Sequence, residues 1–308
     1  MTTAVDVSAA GDFLATHARV LDRRRFELRN GQADPAAVLD ALDAYRNPHG
    51  GYGWGLEPDL RSPESQPGAA HHAFEVFEEI APATAARAVE LCDWLGSITL
   101  GDGGLPMALP MRTSAGSGPW WSTADPSESS LQITSVVAAA AQRVAVHDPA
   151  VAAHPWLERA TDYCMAAIDT MQEEPAAYVL GFSLRLLDAV FDRRAESAVL
   201  LGKLAEHVPD DGRIRVTGGA EDEMLRPLDI SPYPDSATRK LFSADVIESD
   251  LERLAGQQQE DGGWIVDFVS ASPAGALDWR GYATVRAIDV LRANGAEVNA
   301  RGGPTRRT

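Results

Sequence analysis

A short glycine turn between two helical runs is the feature of this sequence that most limits what it can fold into. In the stretch QQQEDGGWIVDF, the pair Gly262-Gly263 follows a helix-forming run and allows the positive φ values that a tight turn needs. Gln258, Gly262 and Trp264 have the spacing Q-x-x-x-G-x-W. From this spacing we expect Trp264 to stack on the Gln258 amide and to cover a helix end.

Looser copies of this turn recur along the chain. RNPHGGYGWG, LGDGGLPM and VPDDGRIRV place further turns near positions 50, 103 and 211. The spacing fits a period of about 50 residues if one degenerate turn lies near 173, and each period has room for two helices. We therefore predict an all-α fold of five or six helical hairpins with the glycine-turn loops at one end. The period alone does not distinguish a closed ring from an open helical solenoid.

The runs between the turns have helical patterns. Residues 7–28 carry one apolar stripe, which predicts a single amphipathic helix. The run 131–146 is almost wholly apolar, so we expect its helix to be buried on most sides. A last helix is expected from about Gly281 to Ala293. Residues 1–295 would then form one domain, followed by a disordered polar tail at 296–308.

Composition argues against several classes of function. The 308 residues carry a formal net charge of −18, which disfavours nucleic acid and anionic membrane surfaces as partners. No apolar run is long enough to predict a transmembrane helix, and the basic-then-apolar pattern of a secretion signal is missing, so we expect a cytoplasmic protein. Cys92 and Cys164 lie in helical patterns and are expected in the core. The oligomeric state stays open.

The Q-x-x-x-G-x-W stretch and its copies resemble the QW repeats of the terpenoid cyclase and protein prenyltransferase superfamily, to which squalene-hopene cyclases belong. The resemblance covers roughly residues 34–295 as architecture and implies an (α/α) toroid barrel around a cavity. It also implies class II chemistry, in which an acid protonates an isoprenoid and aromatic rings stabilise the carbocations. The chain departs from the family at the acid motif, because Pro234 in PYPDSA stands where D-x-D-D-T-A has its proton donor. The D-x-C zinc setting of the prenyltransferases and the D-D-x-x-D motif are also absent.

In a ring of hairpins, the loops after the glycine turns would cluster at one end, where helix N-termini suit anionic groups. A carboxylate beside aromatic surface can have a raised pKa and serve as an acid. The candidate catalytic residues are Glu57, Asp59, Asp229 and Asp235. The candidate substrate-binding residues are nearby aromatic and basic side chains, namely Tyr52, Trp54, Arg61, His71, Trp120, Trp121, Trp264, Trp279 and Arg280.

No metal site is predicted. His71 and His72 are adjacent, and adjacent side chains on a helix point about 100° apart, so we do not expect a joint metal site. No cofactor is expected, although Mg²⁺ would accompany a diphosphate substrate.

Three functions stay open. The first is a class II terpene cyclase-like enzyme acting on an isoprenoid, with a non-standard acid in a cavity lined by Tyr52, Trp54, Trp120, Trp121 and Trp264. The second is a carbohydrate-active (α/α) barrel in which two carboxylates flank a glycosidic bond, with Glu57, Asp59, Asp125 and Asp229 as candidates. The third is a non-catalytic toroid that binds an apolar ligand or a protein partner.

Overall fold

The computed structural model describes residues 5–296 and the backbone of residues 298–299. Within this part of the chain there are fourteen α-helices, one 3-10 helix and four strands of two residues, which confirms the predicted all-α class. None of the helices described is long and apolar enough to cross a membrane. The elements are β1 (Val5–Asp6), α1 (Val7–His17), α2 (Val20–Arg29), α3 (Pro35–Asp43), α4 (Pro67–Glu79), α5 (Ala86–Ile98), α6 (Pro119–Ser122), α7 (Leu131–Val144), α8 (Pro149–Ala152), α9 (Pro155–Thr170), α10 (Ala177–Ala189), α11 (Ser197–Ala205), β2 (Ile214–Arg215), β3 (Met224–Leu225), α12 (Pro227–Ile230), the 3-10 helix (Ala237–Leu241), α13 (Ala244–Gly256), α14 (Pro273–Ala293) and β4 (Val298–Asn299).

The predicted glycine turns are present. Gly50, Gly103, Gly212 and Gly262 all have φ values between 69° and 101°. The turns at 50, 103 and 262 also share one hydrogen-bond pattern. In each, the glycine amide donates to the carbonyl oxygen three residues earlier, and the amide of that earlier residue donates to the carbonyl oxygen just after the glycine, at 2.8–3.0 Å. The sequence period is therefore a structural repeat at these three positions.

Each of these three turns packs against the backbone of another helix in the same way. A Cβ atom on the positive-φ glycine would lie 3.0 Å or less from a backbone carbonyl oxygen, so only glycine fits the contact. The turn after α3 meets Glu90 in α5, the turn after α5 meets Arg159 in α9, and the turn after α13 meets Ala9 in α1. The last turn thus makes with the first helix the contact that the earlier turns make with later helices.

Other contacts also join the two ends of the described chain. β1 pairs in parallel with β4, and the Gln258 side chain both accepts from the Asp6 amide and donates to the Asp6 carbonyl oxygen. Phe13 and Leu14 of α1 share an apolar cluster with Trp264 and with Ile288 of α14. Helix contacts run in the order α2, α3, α4, α7, α10, α12, α13 and α14, and α14 packs against α1 and α2.

The helix α7 lies in the middle of the main apolar cluster, against α4, α9 and α10. Eleven of its 14 residues are buried, which confirms the prediction for the apolar run at 131–146. Both cysteines are buried and free, as expected.

Two helix boundaries were predicted wrongly. The stripe at 7–28 forms two helices, α1 and α2, separated at Ala18-Arg19. The last helix begins at Pro273 rather than near Gly281, because Ser272 accepts the Gly275 amide as N-cap and proline occupies the first turn. The earlier start places Trp279 and Arg280 inside α14. The predicted tail at 296–308 lies mostly outside the described residues, and β4 is the one element described within it.

The degenerate turn near 173 contains no glycine, and a lysine takes over part of its role. The Lys203 ammonium of α11 donates to the carbonyl oxygens of Ile168 and Asp169 in the last turn of α9. A cation at a helix C-terminus satisfies carbonyl groups that lack partners within the helix.

Candidate functional site

The loop after the first glycine turn and the following helix bring two histidines and two glutamates together. Glu57 lies in the loop, whereas His71, His72 and Glu75 lie on α4. Side chains three and four positions apart share one side of a helix, so Glu75 meets both histidines. All four residues are buried. Together with Tyr282 of α14, we call them the His72 cluster.

His72 is held between the two carboxylates. Its Nε2 lies 2.8 Å from Oε2 of Glu57, and its Nδ1 lies 3.1 Å from Oε2 of Glu75. The Tyr282 hydroxyl donates to Oε1 of Glu75 at 2.8 Å. Nε2 of His71 lies 3.2 Å from the same oxygen. The contacts of the cluster therefore converge on Glu75.

The two histidines have opposite protonation behaviour. Burial disfavours the charge of His72, but the hydrogen bonds that its ring donates to Glu57 and Glu75 outweigh this effect and raise the pKa of His72 to about 9. Burial lowers the pKa of His71 to about 4, and the contact with Glu75 offsets this only in part. Burial would raise the pKa of Glu75, but the neighbouring histidines hold it well below its ordinary value. Near neutral pH the cluster thus contains a cationic His72 against an ionised Glu75.

Asp59 anchors one side of the cluster. Its Oδ1 accepts the Ser270 hydroxyl at 2.5 Å and the Ala271 amide at 2.8 Å, and its Oδ2 accepts the Trp279 indole N–H at 2.7 Å. The Trp279 ring packs edge-on against His72, with ring centroids 5.9 Å apart. Asp59 thus fixes the wall of the cluster through Trp279.

The Glu75–Tyr282 side of the cluster borders a cavity of about 60 Å³. The lining of this cavity is dominated by charged and phenolic groups, and we call it the ionic cavity. These groups are Arg25, Arg29, Arg143, Arg185, Arg286, Glu75, Glu78, Glu79, Asp188, Asp289, Tyr233 and Tyr282.

A second cavity, of about 190 Å³, adjoins the first at Tyr282, Arg286 and Val290. One part of it is apolar and aromatic, and we call it the aromatic cavity. The apolar and aromatic groups in its lining include Trp264, Ile265, Val266, Phe268 and Trp279. Its charged groups are Arg226, Asp229, Arg253, Asp267 and Arg286. A ligand spanning both cavities would meet an ionic end and an aromatic end.

Several predicted site residues meet around His72 and these cavities. Glu57 and His71 belong to the cluster, and Asp59 and Trp279 form its wall. Two more line the aromatic cavity, namely Asp229 and Trp264. The Trp264 indole donates to the carbonyl oxygen of Leu254 in the last turn of α13, so this ring covers a helix end as expected. The Gln258 amide donates to the carbonyl oxygens of Gly262 and Asp6, and its stacking against Trp264 stays a prediction.

The other predicted residues lie elsewhere. Tyr52 is a core residue packed edge-on against Phe77. Trp54 and Trp120 are 57% and 44% exposed, and Asp235 is also exposed. Trp121 is buried beside Gly68. The predicted shared wall of Tyr52, Trp54, Trp120, Trp121 and Trp264 is therefore not formed.

The predicted basic contacts are occupied by protein partners. Arg61 pairs with Asp278 at 2.6 Å. Arg280 pairs with Asp261 at 2.7 Å and lies over the Phe13 ring, 4.5 Å from its centroid. Asp125 accepts the hydroxyl and amide of Ser127 on the surface.

The expected divergence of His71 and His72 was wrong. Their ring centroids are 4.8 Å apart, because both side chains turn towards Glu75 one helical turn later. Donor atoms of the three residues lie within 4.8 Å of one another, which is a set that could hold a metal ion. We assign no metal here, because both ring nitrogens of His72 already contact carboxylates.

Five residues of the site were not among the predicted site residues, namely His72, Glu75, Arg185, Tyr282 and Arg286. All five lie inside helices, whereas the predicted candidates come mainly from loops and helix starts. A signal was present in AYVLGFSLRLLDA, where Arg185 is the one basic residue in a mostly apolar helix. A charge in such a setting indicates a buried polar site.

Comparison with known proteins adds no family. No protein-family model matches the chain, and no curated protein matches it. The function is therefore argued from the site itself.

Proposed function

We propose that the helices close into an (α/α) toroid of six hairpins. The pairs are α1–α2, α3–α4, α5–α7, α9–α10, α11–α12 and α13–α14. The contact of the Gly262 turn with α1 supports closure, because it repeats the contacts of the Gly50 and Gly103 turns with later helices. The pairing of β1 with β4 supports it independently.

We further propose that the chain is a carbohydrate-active enzyme that uses acid–base chemistry at Tyr282, where the ionic cavity and the aromatic cavity adjoin. The observation that carries this proposal is the hydrogen bond from the Tyr282 hydroxyl to the ionised Glu75 at the cavity wall. Burial raises the pKa of Tyr282 and the histidines hold the pKa of Glu75 low, so the proton stays on the phenol. Glu75 orients this O–H group, which can donate to a glycosidic oxygen as a general acid when a sugar binds at the cavity wall. Trp279 and Phe268 supply rings on which a sugar can stack.

His72 and Glu57 act in this scheme as positioning residues. His71 and the cationic His72 together hold the pKa of Glu75 low. Glu57 bonds the far nitrogen of His72 and fixes the orientation of its ring. The ionic lining also suits a polar substrate, because sugar hydroxyls can replace water as partners of charged groups.

The test is a panel of chromogenic glycosides with neutral and acidic sugars, assayed with the wild type, Tyr282→Phe and Glu75→Gln. We expect turnover by the wild type and a decrease of about 10²- to 10⁴-fold in each variant. Asp162→Asn, on the outer surface of α9, is the matched control and should keep full activity. Full activity in Tyr282→Phe would contradict the proposal, and no turnover of any glycoside would favour a non-catalytic toroid.

A terpene cyclase-like activity is the second candidate, and the apolar part of the aromatic cavity favours it. Trp264, Phe268 and Trp279 place ring faces and edges in one space, as carbocation stabilisation requires. Of the four predicted acids, Asp229 lines this cavity, whereas Asp59 accepts three hydrogen bonds and is poorly suited to donate a proton.

The second candidate is tested with farnesyl and geranylgeranyl diphosphates, with product analysis by mass spectrometry. A cyclised product that is lost in Asp229→Asn and kept in Asp235→Asn would establish it. Unchanged diphosphates after incubation with the wild type would remove it.

A further inference from the structure

The ionic cavity contains five carboxylates, and each of them has a partner within the protein. Glu79 pairs with Arg25 at 2.6 Å, Glu78 pairs with Arg143 at 2.9 Å, and Asp289 pairs with Arg29 at 3.1 Å. Asp188 accepts the amide and hydroxyl of Thr238. Glu75 is engaged by the His72 cluster.

Two of the five arginines in this cavity lack the partners that the other three have among the described residues. Arg185 of α10 and Arg286 of α14 make no ion pair or hydrogen bond to any residue that the structure describes, although both are mostly shielded from solvent. Burial and the charges of Arg286 and Arg143 lower the pKa of Arg185 to about 10, so the two unpaired cations are close enough to repel each other. Burial disfavours the charge of Arg286, but the charges of Tyr282, Asp229 and Glu75 outweigh it and raise its pKa, although none of the three forms an ion pair or hydrogen bond with it.

Partly buried guanidinium groups without acceptors are unfavourable, because their N–H donors have left bulk water and gained no partner in the protein. An acceptor inside the cavity would remove this cost. The volume of about 60 Å³ equals that of about two water molecules in the liquid, at about 30 Å³ each, which is room for one small oxyanion group. Arginine forks match carboxylate and phosphate oxygens in particular.

We propose that Arg185 and Arg286 together bind the carboxylate or phosphate group of an acidic small molecule in the ionic cavity. This rests on the proposed function in one respect, because it makes the substrate of Tyr282 an acidic one. Arg286 and Tyr282 line both cavities, so an anion on the arginines places the rest of its molecule beside the Tyr282 hydroxyl. The body of the ligand then lies in the aromatic cavity against Trp279 and Phe268.

The experiment is isothermal titration of the purified chain with inorganic phosphate, diphosphate and glucuronate, with glucose as the uncharged control. The variants are Arg185→Met and Arg286→Met, which keep most of the side-chain length and remove the charge. Arg112→Met is the matched control, because Arg112 is 82% exposed and pairs with Glu64 on the surface. We expect at least one anion to bind the wild type, and each cavity variant to weaken it about ten- to a hundredfold.

The stability of the variants separates a ligand site from a structural role. Removing an unpaired cation leaves no carboxylate without its partner, so Arg185→Met should keep or raise the urea midpoint in anion-free buffer. Arg185→Lys and Arg286→Lys keep the charge without the fork, and should retain part of the binding. The two arms of the panel distinguish the sources, since glucuronate reports a carboxylate and diphosphate reports a phosphate.

Three results would overturn the proposal. The wild type could bind none of the anions at millimolar concentration, or Arg185→Met and Arg286→Met could bind them with the affinity of the wild type. A lower urea midpoint in Arg185→Met would be the third. Anion binding without turnover of any glycoside would leave this site standing while the proposed catalytic function fails.

Discussion

The contact between the last glycine turn and the first helix gives the most decisive test of ring closure. In Gly262→Ala the new Cβ atom would lie 2.1 Å from the carbonyl oxygen of Ala9 and 2.3 Å from its carbon, and φ at this position is +90°. An alanine held in a left-handed conformation costs about 1–2 kcal/mol. Displacing packed backbone costs about a further 1–3 kcal/mol. The expected loss in the free energy of unfolding is therefore about 2–5 kcal/mol.

Two other glycines separate these contributions. Gly31 has φ +67° and no atom within 4 Å of its Cβ position, so Gly31→Ala measures the conformational cost alone, about 1–2 kcal/mol. Gly256 is the last residue of α13, with an ordinary φ and open space around it, so Gly256→Ala should stabilise by about 0.5–1 kcal/mol. All three variants are compared with the wild type by urea unfolding, monitored by circular dichroism.

The test compares the sizes of the three changes in the free energy of unfolding. If the turn rests on α1, Gly262→Ala must lose clearly more than Gly31→Ala. A loss equal to that of Gly31→Ala would show that the backbone of α1 is not pressed against the turn in solution. The proposed closure of the ring would then be refuted.

Two further predictions concern the charged interior. Folding holds the proton of His72 more tightly than the unfolded chain does, so its stabilisation is complete below pH about 6.5 and is lost as the pH rises to about 9. The folded protein holds the proton of His71 less tightly than the unfolded chain does, so the free energy of unfolding should also fall as the pH drops from about 6.5 to about 4. Urea midpoints measured across this range should peak near pH 6.5. An unchanged decline at alkaline pH in His72→Gln would contradict the role given to His72. Arg25→Met removes the short ion pair of the largely buried Glu79 side chain and leaves it only the longer contact with Arg29 at 3.8 Å, so it should destabilise by about 3 kcal/mol. Arg112→Ala, on the surface, should cost less than about 1 kcal/mol. Equal thermal shifts in the two variants would refute this contrast.

The parts of the fold that depend on local chemistry could be predicted from the sequence. A positive φ is a local requirement that glycine meets, so the turns at Gly50, Gly103 and Gly262 were predicted correctly. The break between α1 and α2 has no glycine or proline to announce it. Arg19 stands at that break, paired with Asp22 and donating to the carbonyl oxygen of Leu56. The break is thus accompanied by a contact with a loop more than 30 residues away, which no local pattern reveals.

The candidate site also contains some residues that local sequence patterns predict and others that they do not. Glu57, Asp59 and His71 were found because they lie next to a predicted turn or at a helix start. Arg185, Tyr282 and Arg286 come together only because α10 and α14 both line one cavity. Single helices contain no information on which other helix they will meet. The sequence also suggested a cavity with an apolar wall, because the tryptophans are visible in it whereas the pairing of charges across helices is not.

The joined ends of the chain have a consequence for how the protein is made. Asp6 and Gln258 bond to each other across 252 positions, and Phe13 and Leu14 find their cover in Trp264 and Ile288. At a synthesis rate of about 5–20 residues per second, roughly 13–50 s pass between the appearance of the first partner and that of the second. During that time the apolar side of α1 has not yet been covered by the residues that bury it in the folded protein. The helix α1 is therefore completed long after it is made, and its apolar side is open to aggregation or chaperone capture until Trp264 and Ile288 follow.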